Sequence, residues 1–208
     1  MLGKEKVLPV RGRMMIKKVF IDTETSGFKP GQICQLTYTI TEDDKVTVAK
    51  NFFLMCDYID PGAEKVHGFS VEKLKILSGG KTFKDIAEEV SDDLKDGIFI
   101  AHNVKFDINF VKTEIERAGY AFEIRDKFCT MKYFENIIKL KGKFRGKYKW
   151  PKLEETMHFL GIDSESKGFN DGLQKLYGDD GISFHDARFD VCGLVMVYYK
   201  AMKMGYKM

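Results

Sequence analysis

The sequence predicts an α/β fold in which a central mixed sheet, an antiparallel three-stranded meander extended by parallel strands, is flanked by helices. Two observations carry this. Three β-branched and aromatic runs come first: "IKKVFIDTET" (16–25), "QICQLTYTIT" (32–41) and "KVTVAKNFFLMC" (45–56), separated by turns of Gly, Asp and Lys. From about residue 70 onward, stretches of helical spacing alternate with shorter apolar runs, the pattern of helices packed on the faces of a sheet.

The helices announce themselves by their ends and faces. "SVEKLKIL" (70–77) offers Ser70 as its N-cap. "TFKDIAEEVSDDLK" (82–95) repeats Phe83, Ile86, Val90 and Leu94 at helical spacing behind Thr82, which predicts one amphipathic helix. "GIFIAHN" (97–103) is a short buried strand, and "VKFDINFVKTEIERAG" (104–119) is a helix closed by Gly119 in a left-handed cap. Further helices are expected at 130–140, 151–161 and 186–204.

Composition narrows the class. The chain has 208 residues, 44% hydrophobic and 31% charged, enough for one ordinary core. It has no apolar run near the roughly 20 residues that span a bilayer, so no membrane association is expected. Residues 1–14 read as a leader outside the fold, leaving 15–208 as a single domain; the apolar part of that leader is too short for a signal peptide. Cys34, Cys56, Cys129 and Cys192 are scattered without a Cys-x-x-Cys, which suits a reducing, cytoplasmic setting and not a zinc site. A net charge of +3 implies no nucleic acid by itself.

Three acidic segments stand out. Asp22 and Glu24 alternate at the end of the first strand and therefore share a face. At ~4 Å and an effective dielectric of ~20 such a pair repels by roughly 4 kcal/mol, which calls for a cation or a proton. Asp107 follows a buried strand into the start of a helix, a place where α/β proteins collect ligands and where an acid also suits the helix dipole. Asp190 lies inside the last helix, with His185 five positions before it on the preceding loop. Each has an ordinary reading as a solvated strand end, a first-turn acid, a helix acid or a cap.

Taken together, "VFIDTETSGF", "IAHNVKFDINFV" and "HDARFD" resemble, in order, the three motifs of the DEDD-type 3′–5′ exonucleases, in the branch whose third motif is His-x-Ala-x-x-Asp. That superfamily includes the DnaQ-like, polymerase III epsilon-like proteins and has a ribonuclease H-like fold. The resemblance spans about residues 16 to 203. The sister branch carries tyrosine four positions before the last Asp, where this chain has Asp186.

The resemblance implies that Asp22, Glu24, Asp107 and Asp190 hold two divalent ions, Mg²⁺ or Mn²⁺, and that His185 is the general base. It implies hydrolysis at 3′ ends of DNA with release of nucleoside 5′-monophosphates, with single-stranded DNA the favoured substrate and a DNA polymerase a candidate partner. RNA 3′-end trimming and a non-catalytic end-binding subunit are the alternatives. Hard oxygen donors in an incomplete cage suit those ions.

For the nucleic acid, the resemblance points to Thr25, Ser26 and Gly27 beside the terminal nucleotide and to His67 and Phe69 as a wedge against its base. Phe69 stands where the family has an aliphatic residue, and the pair reads equally as a helix-entry staple. His102 and Asn103 match a pair near the terminal sugar and base, with Asn103 also a candidate N-cap. Apart from the resemblance, "KLKGKFRGKYKW" (139–150) sets Lys139, Lys141, Lys143, Arg145, Lys147 and Lys149 on alternate positions, with Phe144, Tyr148 and Trp150 on the others. Gly142 and Gly146 oppose a helix there, so the segment reads as a hairpin or arm for phosphates, or as a solvated loop anchored by its aromatics. The tract 162–184 is rich in Gly and Asp and reads either as a segment that flexes over the site and positions His185 or as an interaction surface.

Overall fold

The computed structural model describes residues 15–29, 31–144, 147–179 and 182–208. The expected leader, Arg145 of the basic segment and Asp180 and Gly181 of the 162–184 tract lie outside the described residues. Strands β1 (Lys17–Thr25), β2 (Ile33–Glu42) and β3 (Lys45–Phe53) form the antiparallel meander. β4 (Ile98–Ala101) and β5 (Asp126–Cys129) extend it in parallel, giving the order β3-β2-β1-β4-β5. This is the mixed sheet that the sequence predicts.

Helices α1 (Pro61–His67) and α2 (Val71–Ser78) follow the meander, and the Ser70 side chain caps α2 by accepting from Lys73 N. The single helix expected over 82–95 is instead a 3₁₀ turn, Phe83–Asp85, followed by α3 (Ala87–Leu94). Asp85 Oδ2 accepts from both the amide and the hydroxyl of Thr82, at 2.7 and 2.8 Å, and Ile86 departs from helical geometry at φ −118°. These bonds form a capping box that starts the 3₁₀ turn at Phe83, and the break with α3 falls at Ile86, beyond the reach of that cap. Phe83, Ile86, Val90 and Leu94 all reach the core regardless.

α4 (Val104–Arg117) ends with Gly119 at φ +91°, as its position in the sequence predicts. α5 (Thr130–Ile138), α6 (Leu153–Phe159) and α8 (Ala187–Lys203) match the remaining expected helices. The 162–184 tract contains α7 (Lys167–Tyr177), capped by Ser166 and packed through Phe169 and Leu173.

β1 is covered on both sides. Val19 and Ile21 meet α3 and α4 through Val90, Ile108 and Val111, whereas Phe20 and Ile100 meet Val191, Leu194 and Tyr198 of α8. Burying each of these large side chains contributes roughly 1.5–3 kcal/mol. The same alternation sends consecutive residues at the strand's C-terminal end toward different helix layers.

Candidate active site

At that end the apolar alternation of β1 turns polar. Asp22 and Glu24 continue the face of Phe20 and look toward α8; Thr23 continues the face of Val19 and Ile21 and looks toward α4. The register with β2 shifts between Glu24 and Thr25, an irregularity of the kind that re-aims side chains beside active sites. Each helix layer then adds one acid. Asp107, in the first turn of α4, is 3% exposed and accepts a hydrogen bond from Thr23 Oγ1 at 3.0 Å. Asp190, in the first turn of α8, accepts from the backbone amide of His185 at 3.1 Å.

The structure therefore brings together all five residues that the sequence nominates. Asp22, Glu24, Asp107, Asp190 and His185 line one cleft of about 570 Å³, with Trp150 on its wall. Ligand atoms of Glu24, His185 and Asp190 lie within 4.8 Å of one another. At that separation two carboxylates repel by roughly 3.5 kcal/mol at an effective dielectric of ~20.

The acids respond by holding their protons. Burial, followed by the fields of Asp190, Asp107 and Asp186, pushes Glu24 up to about 9. Burial raises Asp107 to about 7 against the Thr23 hydrogen bond, and Asp190 to about 7 against the His185 amide. Asp22 is raised well above its ordinary value by burial and by the other acids. No lysine or arginine pairs with any of the four among the described residues. Carboxylate oxygens crowded together without a cationic side chain fit a divalent cation site, so the donor chemistry agrees with the ions that the resemblance implies.

Asp186 sits beside this group but is not part of it. Although burial works against its charge, hydrogen bonds from Arg188 and Gln35 outweigh burial and hold it below the usual carboxylate range. It is the N-cap of α8, and Arg188 bonds both Asp186 and Asp179. Gln35, fully buried on β2, donates to Asp186 Oδ1 and Asn51 Oδ1 and accepts from the amide of Ala187 at 3.0 Å. The sheet thus grips the start of the helix that carries Asp190. Gln35 and Thr23 are the supporting residues that sequence reasoning missed; their one signal is polarity at positions where β-strand alternation demands burial.

The residues expected near a terminal nucleotide are placed unevenly. His67 is buried, its Nε2 donating to Thr25 O at 3.2 Å and its Nδ1 accepting from the Phe69 amide at 3.0 Å, so it pins the backbone beside Glu24. Phe69 is 3% exposed, stacked on His67 and packed among Cys34, Cys56 and Leu74. Thr25 Oγ1 donates to Gly27 O and Ser26 Oγ accepts from Gln32 N, bonds that shape the loop after β1. A Cβ at Gly27 would come no nearer than 3.6 Å to Asp60, so the chain itself does not require glycine there.

His102 has both ring nitrogens engaged. Burial lowers it to about 4, so the ring is neutral at working pH. Nε2 faces the Pro151 carbonyl at 2.8 Å and must donate, which leaves Nδ1 to accept from Thr130 Oγ1. Asn103 occupies the N-cap position of α4 without a side-chain cap bond, exposed on the same cleft. Lys143 and Lys147 stand on a hairpin between α5 and α6.

Known proteins resemble this chain in sequence and in fold. The family model described as Exonuclease (RNase_T) matches residues 19–191. DNA polymerase III subunit epsilon of Buchnera aphidicola is 25% identical over 194 residues, covering 82% of this chain and 79% of that protein. The 3′-5′ exonuclease DinG of Bacillus subtilis is 32% identical over 111 residues, covering 49% of this chain and 11% of DinG. In fold, E. coli exonuclease I in complex with a dA16 oligonucleotide superposes with a TM-score of 0.64 at 16% identity, covering 90% of this chain and 41% of that one. Exonuclease X in complex with 5′ overhanging duplex DNA gives 0.56 at 16% identity, covering 93% and 95%. The chain thus spans about a tenth of DinG and two fifths of exonuclease I. With a family match that runs from β1 into α8 and takes in every acid of the cleft, this chain belongs to the 3′–5′ exonuclease family that includes the DnaQ-like epsilon subunits.

Proposed function

We propose that this protein hydrolyses the terminal phosphodiester at 3′ ends of DNA and releases nucleoside 5′-monophosphates. The observation that carries the reading is the meeting of four carboxylates and one imidazole in a single cleft with no lysine or arginine paired to the acids among the described residues. Asp22, Glu24, Asp107 and Asp190 would hold two divalent ions, Mg²⁺ or Mn²⁺, which supply Lewis-acid activation of water and stabilisation of the departing 3′ oxygen.

The chain's own residues do the rest. His185, exposed on the turn before α8, accepts the proton of the attacking water, a role that an imidazole on the same cleft as the four carboxylates is placed to take. Thr23 orients the Asp107 carboxylate, and the His185 amide orients that of Asp190. His67 fixes the Thr25 carbonyl, and with it the loop of Ser26 and Gly27 that would border the terminal nucleotide. His102 and Asn103 would border that pocket from the end of β4, and Phe69 packs behind His67.

The named relatives support DNA over RNA, and a DNA polymerase as a partner to test. No helix among the described residues is long and apolar enough to cross a membrane, and four free cysteines accord with a cytoplasmic setting. The test is hydrolysis of matched DNA and RNA oligonucleotides carrying a 3′ label, in Mn²⁺ and in EDTA. Asp22→Ala and Asp190→Ala should abolish cleavage while leaving a folded protein, and cleavage retained by both variants would refute the assignment.

A further inference from the structure

The segment 139–150 carries six cationic residues and no acidic one, in a chain of net charge +3. Its described residues, 139–144 and 147–150, pair as the two arms of a short hairpin. Lys141 bridges Tyr148, Gly142 N donates to Lys147 O at 3.1 Å, and Lys149 N donates to Leu140 O at 3.0 Å. Gly142 is required by this close approach, since a Cβ there would stand 2.4 Å from Lys147 O.

Charge and aromatic surface occur together on the hairpin. Lys139, Lys141, Lys143 and Lys147 line a hollow of about 510 Å³ with Phe144 and Tyr148. Phe144 is 74% exposed, and Trp150, at the hairpin's end, is 58% exposed on the wall of the acid cleft. An indole left in water forgoes much of the stabilisation that burial would give it. Its placement is nevertheless fixed. Trp150 Nε1 donates to Glu135 Oε2 at 3.1 Å, Lys149 pairs with Glu155 at 2.6 Å, and the Pro151 carbonyl takes the His102 ring. A polar anchor on each side thus holds an uncovered aromatic surface at the mouth of the site.

We infer that this hairpin is the track for a single strand of nucleic acid. Trp150 stacks on a base as the strand enters the cleft, and Lys139, Lys141, Lys143 and Lys147 neutralise phosphates behind it. A stacking aromatic beside a row of cations matches a polymer that alternates flat bases with negative charge, and it reads no sequence. The inference rests on the proposed nuclease reading for the direction of the strand, but not for its contacts.

Trp150 is the sole tryptophan of the chain, so intrinsic emission reports on it directly. The full chain is titrated in EDTA, where hydrolysis is blocked, with dT12, rU12 and a twelve-residue polyglutamate. Saturable quenching by the oligonucleotides and none by polyglutamate is expected. Read by the anisotropy of a labelled dT12, since these variants lack the indole, Trp150→Ala should weaken binding about tenfold, with Trp150→Phe recovering most of it. The logarithm of affinity should fall with log salt at a slope of roughly −3, from four phosphate contacts at about 0.7 each. That slope should flatten when the four lysines become serine.

Gly142→Ala, which spoils the hairpin and keeps its charge, should weaken binding as well. Thermal unfolding of each variant distinguishes lost binding from lost fold. Unchanged emission when a labelled oligonucleotide is shown by anisotropy to be saturated would overturn the track, as would equal affinity for Trp150→Ala and Trp150→Phe or equal quenching by polyglutamate. Cleavage in Mn²⁺ without quenching sinks the track alone. Quenching without cleavage sinks the nuclease reading and leaves the track standing.

Discussion

The backbone amide of His185 donates to the carboxylate of Asp190 at 3.1 Å, so the candidate base and its neighbouring acid are joined through the main chain, leaving the imidazole free. His185 takes a left-handed φ of +67° to do this. The turn and the ring are therefore separable. His185→Ala and His185→Gly should both lower the single-turnover rate by about 10²–10⁴ while oligonucleotide binding persists. The glycine variant should be the more stable by roughly 1 kcal/mol, because it bears a positive φ without strain. Rapid-quench kinetics and thermal unfolding check the two halves.

Thr23→Val tests the support beneath Asp107. The change keeps the shape and removes the hydroxyl that donates to the carboxylate. Without that bond the acid is harder to ionise, and the apparent affinity for Mn²⁺ should fall about 10- to 100-fold. A Mn²⁺ titration of activity measures this. An unchanged titration would mean that Thr23 does nothing for the site.

Gln35→Leu tests the grip of the sheet on α8. It leaves the amide of Ala187 buried without its partner, at a cost of about 1–3 kcal/mol in urea unfolding. Because the same helix turn holds Asp190, the rate should drop along with stability, whereas Asn51→Ala, which removes an acceptor shared by Gln35 and Thr37 but leaves the Ala187 amide its partner, should lower stability with a smaller effect on the rate.

Stability should depend on pH and metal together. In the metal-free protein Asp107 and Asp190 titrate at about 7 and Glu24 at about 9, against roughly 4 when unfolded. Across that window the folded chain binds more protons than the unfolded one, so this cluster makes stability fall as pH rises. In EDTA, Asp190→Asn should melt above wild type at pH 8, with the gap closing toward pH 4. Saturating Mn²⁺ should raise the wild-type melting temperature more at pH 8 than at pH 5. Calorimetry at the two pH values decides.

The amino-acid order by itself determined the elements and the list of acids. A period of two placed Asp22 and Glu24 on one face of β1, a period of 3.6 marked α4 and α8, and Gly119 closed α4, all from interactions between near neighbours in the chain. Local rules missed the break at Ile86 that divides the helix expected over 82–95, and they missed α7 in the 162–184 tract. Tertiary structure alone decided which groups meet. Thr23 reaches Asp107 across 84 residues and Gln35 reaches Asp186 across 151, because β1 is sandwiched between two helix layers that each deliver one acid to the same strand end. It also decided that Phe69 is buried and Trp150 uncovered, since exposure is set by what other segments cover, and no periodicity along one segment records that.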